Sequence, residues 1–141
     1  MRIVRYEDWV SRLQEAFRCR MREHFSYGRH DCCQAARYLL EAMTGQDFAA
    51  DFPSYNQRKK ALRIVVRAGG FIKLLDGIAA KYALVECLPT EARRGDPVVV
   101  GTRLGLALGI VDLTGTHVIV PNGRGWALVP LSQAVKAWRL D

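Results

Sequence analysis

Val98-Val99-Val100-Gly101-Thr102-Arg103-Leu104-Gly105-Leu106-Ala107-Leu108-Gly109-Ile110-Val111 holds two short β-rich runs, Val98 to Val100 and Leu106 to Val111, on either side of a glycine-bearing link. The pattern repeats downstream. His117 to Val120 and Trp126 to Val129 are again short runs rich in β-branched or aromatic residues. They are separated by Leu113-Thr114-Gly115 and Asn122-Gly123-Arg124. Links this short leave no room for a crossover helix, so neighbouring strands must pair antiparallel, as a meander. Further on, Ser132 is placed to cap a last short helical turn through Ala134 to Ala137, after which Trp138-Arg139-Leu140 adds an edge strand.

Upstream of Pro89 the periodicity changes from two to nearly four. Trp9, Val10, Leu13, Phe17 and Met21 recur at three- and four-residue intervals, which predicts a first helix within Tyr6 to Phe25, ending near Phe25. A second runs from Cys32 to Met43 with Ala35, Ala36, Leu39, Leu40 and Met43 on one face, and Thr44-Gly45 stops it. Residues 46–55 hold Asp47, Asp51, Pro53 and Ser54 among aromatics and read as a folded loop that packs. Asn56 can cap a third helix whose inner face is Leu62, Val65 and Val66. Gly69-Gly70 ends it before a fourth helical segment, Phe71 to Lys81. Helices first and an antiparallel sheet second predict an α+β fold in one domain, residues 1–141, with the Cys32 helix packed across the sheet.

The start of that second helix carries the chemistry. Asp31 is a good N-cap and Gln34 completes the Asp-x-x-Gln form of a capping box, which sets Cys32 at the first helical position. There the helix dipole and unpaired amides favour negative charge, so a thiol is drawn toward its nucleophilic thiolate. The same pattern also serves as plain helix punctuation, and a free cysteine is often a small buried hydrophobe.

Composition excludes several classes of function. The N-terminus, Met1-Arg2-Ile3-Val4-Arg5-Tyr6-Glu7-Asp8, interrupts with charges the apolar stretch that a secretory signal needs. No segment is long and apolar enough to span a bilayer. A start in a cytoplasm follows as an expectation. The four cysteines, at 19, 32, 33 and 87, show no Cys-x-x-Cys spacing and are expected as reduced thiols without structural zinc. The three histidines, at 24, 30 and 117, have no helical metal-pair spacing, so neither metal nor cofactor is expected. A net charge of +7 favours a polyanionic neighbour without choosing one. Lys59, Arg63 and Arg67 share a helix face, but no aromatic platform or DNA-binding motif accompanies them, so no specific nucleic acid is expected.

Phe25-Ser26-Tyr27-Gly28 ahead of Asp31-Cys32-Cys33-Gln34, the helix carrying that cysteine, and Gly95-Asp96 leading into a strand meander resemble the NlpC-type cell-wall peptidases, which are papain-like cysteine hydrolases. The resemblance covers about 110 residues and implies a papain-like α+β fold with Cys32 as nucleophile. The family's histidine would fall at Ala107 in Ala107-Leu108-Gly109-Ile110-Val111, and its third polar residue near Ile119. Phe25 replaces a tyrosine whose hydroxyl the family uses. More closely, the pattern is similar to small phage and prophage tail proteins sharing that fold. They carry Gly-x-x-Asp-Cys (Gly28 to Cys32), Gly69-Gly70, Arg94-Gly95-Asp96, Leu108-Gly109-Ile110, Val129-Pro130-Leu131 and Ala137-Trp138-Arg139. This second resemblance implies a place in the virion at the tail tip or baseplate, assembled in the bacterial host cytoplasm. The partners implied are neighbouring tail proteins (hub, distal tail or tail-fibre base), with peptidoglycan as a further one.

A cysteine hydrolase needs a general base within about 2.6 to 3.2 Å. His117 lies two residues before Ile119, on the same sheet face and displaced by roughly 6.5 Å, so only a register slip or bulge makes it the base. His30 precedes the cap and His24 is near the end of the first helix, where both read as structural or solvated. Without a base, amide turnover loses about 10² to 10⁴ in rate. Two functions stand on this reading: a structural tail-tip component that keeps the hydrolase fold as a scaffold, and an active peptidoglycan endopeptidase or amidase, helping DNA entry through the cell wall, with Cys32 as nucleophile and His117 as base.

Overall fold

Asp31 adopts the extended backbone of an N-cap and accepts the Gln34 amide at 2.9 Å, and Gly45 closes the same helix in the left-handed region with its N–H on Glu41 O. These two signals fix the helix at Cys32–Thr44 and turn Ala35, Ala36, Leu39, Leu40 and Met43 inward, as the periodicity predicts. The computed structural model describes residues 3–141. In chain order its helices are α1 (Trp9–Cys19), α2 (Cys32–Thr44), α3 (Arg58–Ala68) and α4 (Phe71–Lys81). Its strands are β1 (Val85–Cys87), β2 (Pro97–Thr102), β3 (Gly105–Val111), β4 (His117–Pro121), β5 (Trp126–Pro130) and β6 (Ala134–Arg139). The fold is α+β, helices before strands.

The six strands form one antiparallel sheet in the order β1-β6-β2-β3-β4-β5. The expected meander is β2 through β5. The C-terminal segment departs from expectation. Only Leu131–Gln133 make a short 3₁₀ turn, and Ala134 to Arg139 form a strand. That strand is interior, between β2 and β1, and the short β1 takes the edge. The reason lies in β2. Val98, Val99 and Val100 have no exposed surface, and a strand buried on both faces needs ladder partners on both sides to satisfy its backbone. β6 supplies the second partner, with a register shift between Val99 and Val100.

One sheet face, with Val99, Leu108, Ile110, Ile119 and Trp138, packs against α1, α2 and α4. The other gathers Val98, Val100, Val111, Val118, Val120 and Ala137. Asp96, fully buried, ties the start of β2 to the chain's last residues: its carboxylate accepts Arg93 N and Leu140 N, each at 2.9 Å.

Two helices differ from the sequence pattern. α1 stops at Cys19 rather than near Phe25, because residues 23–25 satisfy their backbones against the β4–β5 loop. His24 bridges Arg124, Phe25 N donates to Gly123 O, and Gly125 N donates to Glu23 O. In α3 no residue is fully buried. Ala61, Ile64 and Val65 face inward only partly, while Leu62 and Val66 are exposed. Asn56 does not cap it either: Gln57 holds the cap position, and the Asn56 amide oxygen accepts from Lys60.

Candidate functional site

The loop ahead of α2 is shaped by one carboxylate. Asp31 accepts Gly28 N at 2.8 Å, the Tyr55 hydroxyl at 2.7 Å and Gln34 N at 2.9 Å. Gly28 is required there: it sits at φ +91°, and a Cβ would collide with the Tyr55 carbonyl. The reciprocal half of the capping box is absent. The Gln34 side chain turns to the Tyr55 hydroxyl and Arg37 instead of the Asp31 amide. Arg37 in turn holds Asp47 through two contacts of 2.6 Å, which fastens the 46–55 loop beside the helix. That loop packs as expected, with Phe48 buried edge-on against Tyr82.

Cys32 therefore sits at the first helical position, partly buried. Its sulfur receives the Cys33 thiol and the Leu108 backbone N–H. The Cys33 hydrogen bond is the largest influence and lowers the Cys32 pKa against burial and the Asp31 charge, which raise it. Cys33 is pushed well up, first by donating that bond and then by burial. Of the two thiols Cys32 is the more acidic, and the bond between them is the first cause of the difference. All four cysteines are free.

Cys32 opens on a cleft of about 660 Å³ between the α2 N-terminus, the α3–α4 pair and the β2–β3 hairpin. Its lining is mostly apolar, with Phe71, Leu75 and Trp138 on the α4 and sheet side and Leu62, Leu104 and Leu106 at the mouth. Phe25 and Ala107 also line it, and the Ala107 methyl packs with the cluster on the far sheet face.

The structure does not bring His117 to Cys32. His117 begins β4 opposite Asp112, whose N–H donates to His117 O, and its Nδ1 lies 2.8 Å from Thr116 Oγ1. Leu108, which marks the level of Cys32, is four residues back along β3, about 13 Å at ordinary strand rise. No register slip or bulge closes that gap, because β3 and β4 pair Ile110 with Ile119 and Val111 with Val118. His30 is wholly buried. Its Nε2 lies 2.8 Å from Gly125 O and so carries the proton, while its ring packs edge-on against Trp126 and Nδ1 has no partner. His24 is exposed and belongs to the bridge with Arg124, not to a helix end. None of the three histidines lines the cleft.

Motif reading found Cys32 and Asp31 but missed Tyr55, Cys33, Leu108 and Leu104. Cys33 alone carried a local signal, its adjacency to Cys32. The others reach the site across 24 or more residues of sequence, which no local pattern encodes.

A family model described as a domain of unknown function (DUF6950) matches residues 4–140, nearly the whole chain. The chain belongs to that family. Comparison with the curated proteins found no match. Among the described residues no cluster of three or more His, Cys, Asp or Glu could hold a metal ion, and no helix is long and apolar enough to cross a membrane.

Proposed function

We propose that this chain is a non-hydrolysing structural component of a phage tail tip or baseplate, in which a cell-wall-peptidase-like scaffold serves to bind neighbouring tail proteins. One observation carries the non-hydrolysing part: the cleft over Cys32 holds a thiol and its donors but no imidazole. Thiolate attack on an amide needs a proton delivered to the leaving amine. Cys33 cannot deliver it efficiently, because its raised pKa makes it a weak acid. The motifs shared with small tail proteins support the tail-tip placement. In that setting the chain is assembled in the host cytoplasm and carried in the virion.

The test has two arms. Purified protein incubated with sacculi is expected to release no more soluble muropeptide than Cys32→Ala, and mass spectrometry of purified particles is expected to find the chain. Release that depends on Cys32 would overturn the first half, and absence from particles the second.

The lowered Cys32 pKa favours a second reading, an active peptidoglycan cysteine endopeptidase or amidase. It requires a base from outside the cleft, and it predicts the Cys32-dependent release that the first reading forbids.

A further inference from the structure

We propose that the cleft over Cys32 seats an acidic amphipathic helix contributed by a neighbouring protein. The inference rests on the reading above in one respect, that the cleft binds rather than hydrolyses.

The jaws of the cleft are built unlike ordinary surface. On one side stands α3, a helix with no fully buried residue, whose Leu62 is 45% exposed. On the other is the β2–β3 turn, where Leu104 is 96% exposed and Leu106 46%. The turn is closed by one hydroxyl: Thr102 Oγ1 donates to Gly105 O at 2.7 Å and accepts Leu104 N at 3.2 Å. A tight turn needs no apolar residue at its tip, and an apolar patch rimmed by charge marks an interaction site. A volume of about 660 Å³ is in the range of ligand-binding clefts, and its open form between two jaws suits a helix laid in a groove by side chains at i, i+3, i+4 and i+7.

Charge selects the partner. Arg58 lines the cleft from α3 and Arg103 from the hairpin, and neither has an ion pair among the described residues. Lys59, Arg63 and Arg67 lie on the same helix outside the cleft lining, and the helix contains no acid. The other charged residues of the lining, Asp31 and Arg37, are already satisfied, by Gly28, Gln34 and Tyr55 and by Asp47. What remains unmatched is positive, so the complement is an apolar stripe flanked by carboxylates.

Fluorescence anisotropy with a labelled synthetic peptide of about 18 residues, roughly five helical turns, tests this. Leucines take the i, i+3, i+4, i+7 positions and glutamates the flanks. The striped acidic peptide is expected to bind. A scrambled peptide of the same composition and a striped peptide with lysine for glutamate are expected to bind at least about tenfold more weakly. Leu104→Asp, on an exposed turn tip, is expected to weaken the acidic peptide about tenfold with circular dichroism unchanged. Arg58→Glu/Arg103→Glu is expected to shift preference toward the lysine peptide. Bound peptide is expected to slow iodoacetamide labelling of Cys32 while exposed Cys19 labels as before.

Equal binding of the scrambled peptide, indifference to Leu104→Asp, no binding, or displacement of the peptide by monomeric dodecanoate would overturn the proposal, the last by making the cleft an acyl-chain site. Because the assay uses the isolated chain, its failure is separable from that of the tail-tip reading, which turns on particle composition and muropeptide release.

Discussion

Cys32 and Cys33 are consecutive residues with opposite electrostatic fates, and the hydrogen bond between their thiols is the first cause of both. The donor stabilises the charged form of its partner and is itself held protonated. Removing the Cys33 thiol takes away the largest influence holding the Cys32 pKa down, so Cys33→Ala is expected to raise it and slow Cys32 alkylation by iodoacetamide several-fold near neutral pH. Cys33→Ser keeps a donor and is expected to restore most of the rate. Peptide mapping over a pH series reads both. Equal rates in wild type and Cys33→Ala would show that Leu108 N–H and the helix terminus suffice. At this scale the sequence was legible only where chemistry is local. Asp31 and Cys32 announce themselves by spacing along one helix end. Tyr55 reaches Asp31 from a turn-rich loop and Leu108 reaches Cys32 from the sheet, so neither shows until the chain is folded.

Among the elements, strands whose side chains alternate between turn signals were readable, and those defined by their neighbours were not. β2 to β5 follow their apolar runs and short links. β6 was partly hidden because Ser132 followed by Ala134-Val135-Lys136-Ala137 has the local look of a capped helical turn, and the demand of β2 for a second ladder partner outweighs that preference. β1 has three residues and no periodicity to read. α3 kept its helical period, but the sequence could not reveal that only half its apolar face would be covered. Asp96 belongs to this scale, since its carboxylate joins the β2 entry to the end of β6. Burial raises its pKa above the ordinary value of 3.8, against the amides of Arg93 and Leu140 and the charge of Arg5, which lower it. An acid with a raised folded pKa gives the native state an extra proton between the two pKa values, so stability drops as pH rises through that window. The unfolding free energy of wild type relative to Asp96→Asn is therefore expected to be greatest below pH 3.8, where the acid is protonated in both states, and to shrink as pH climbs through the window toward neutrality. Urea titrations along that series check it, and an advantage that grows with pH would contradict the sign.

At the scale of the molecule, the C-terminal strand closes the fold rather than trimming it. β6 lies between β1, which follows the helices, and β2, which opens the meander. Arg5 N donates to Asp141 O at 2.7 Å, so the segment ahead of α1 is also fastened to the end of the chain. Removing residues 134–141 strips the second ladder from a strand whose valines are wholly buried, leaves β1 unpaired, and takes from Asp96 the Leu140 amide. Unsatisfied buried polar groups cost about 1–3 kcal/mol each, against a net stability of roughly 5–15 kcal/mol for a domain. A handful of such losses consumes it. The truncated chain is expected to lose its cooperative thermal transition by circular dichroism. Leu62→Ala on α3, where the side chain is 45% exposed, is expected to shift the midpoint little. A truncated protein that still melts cooperatively would mean that β2 through β5 and the helices form a self-sufficient unit, with β6 an addition to it.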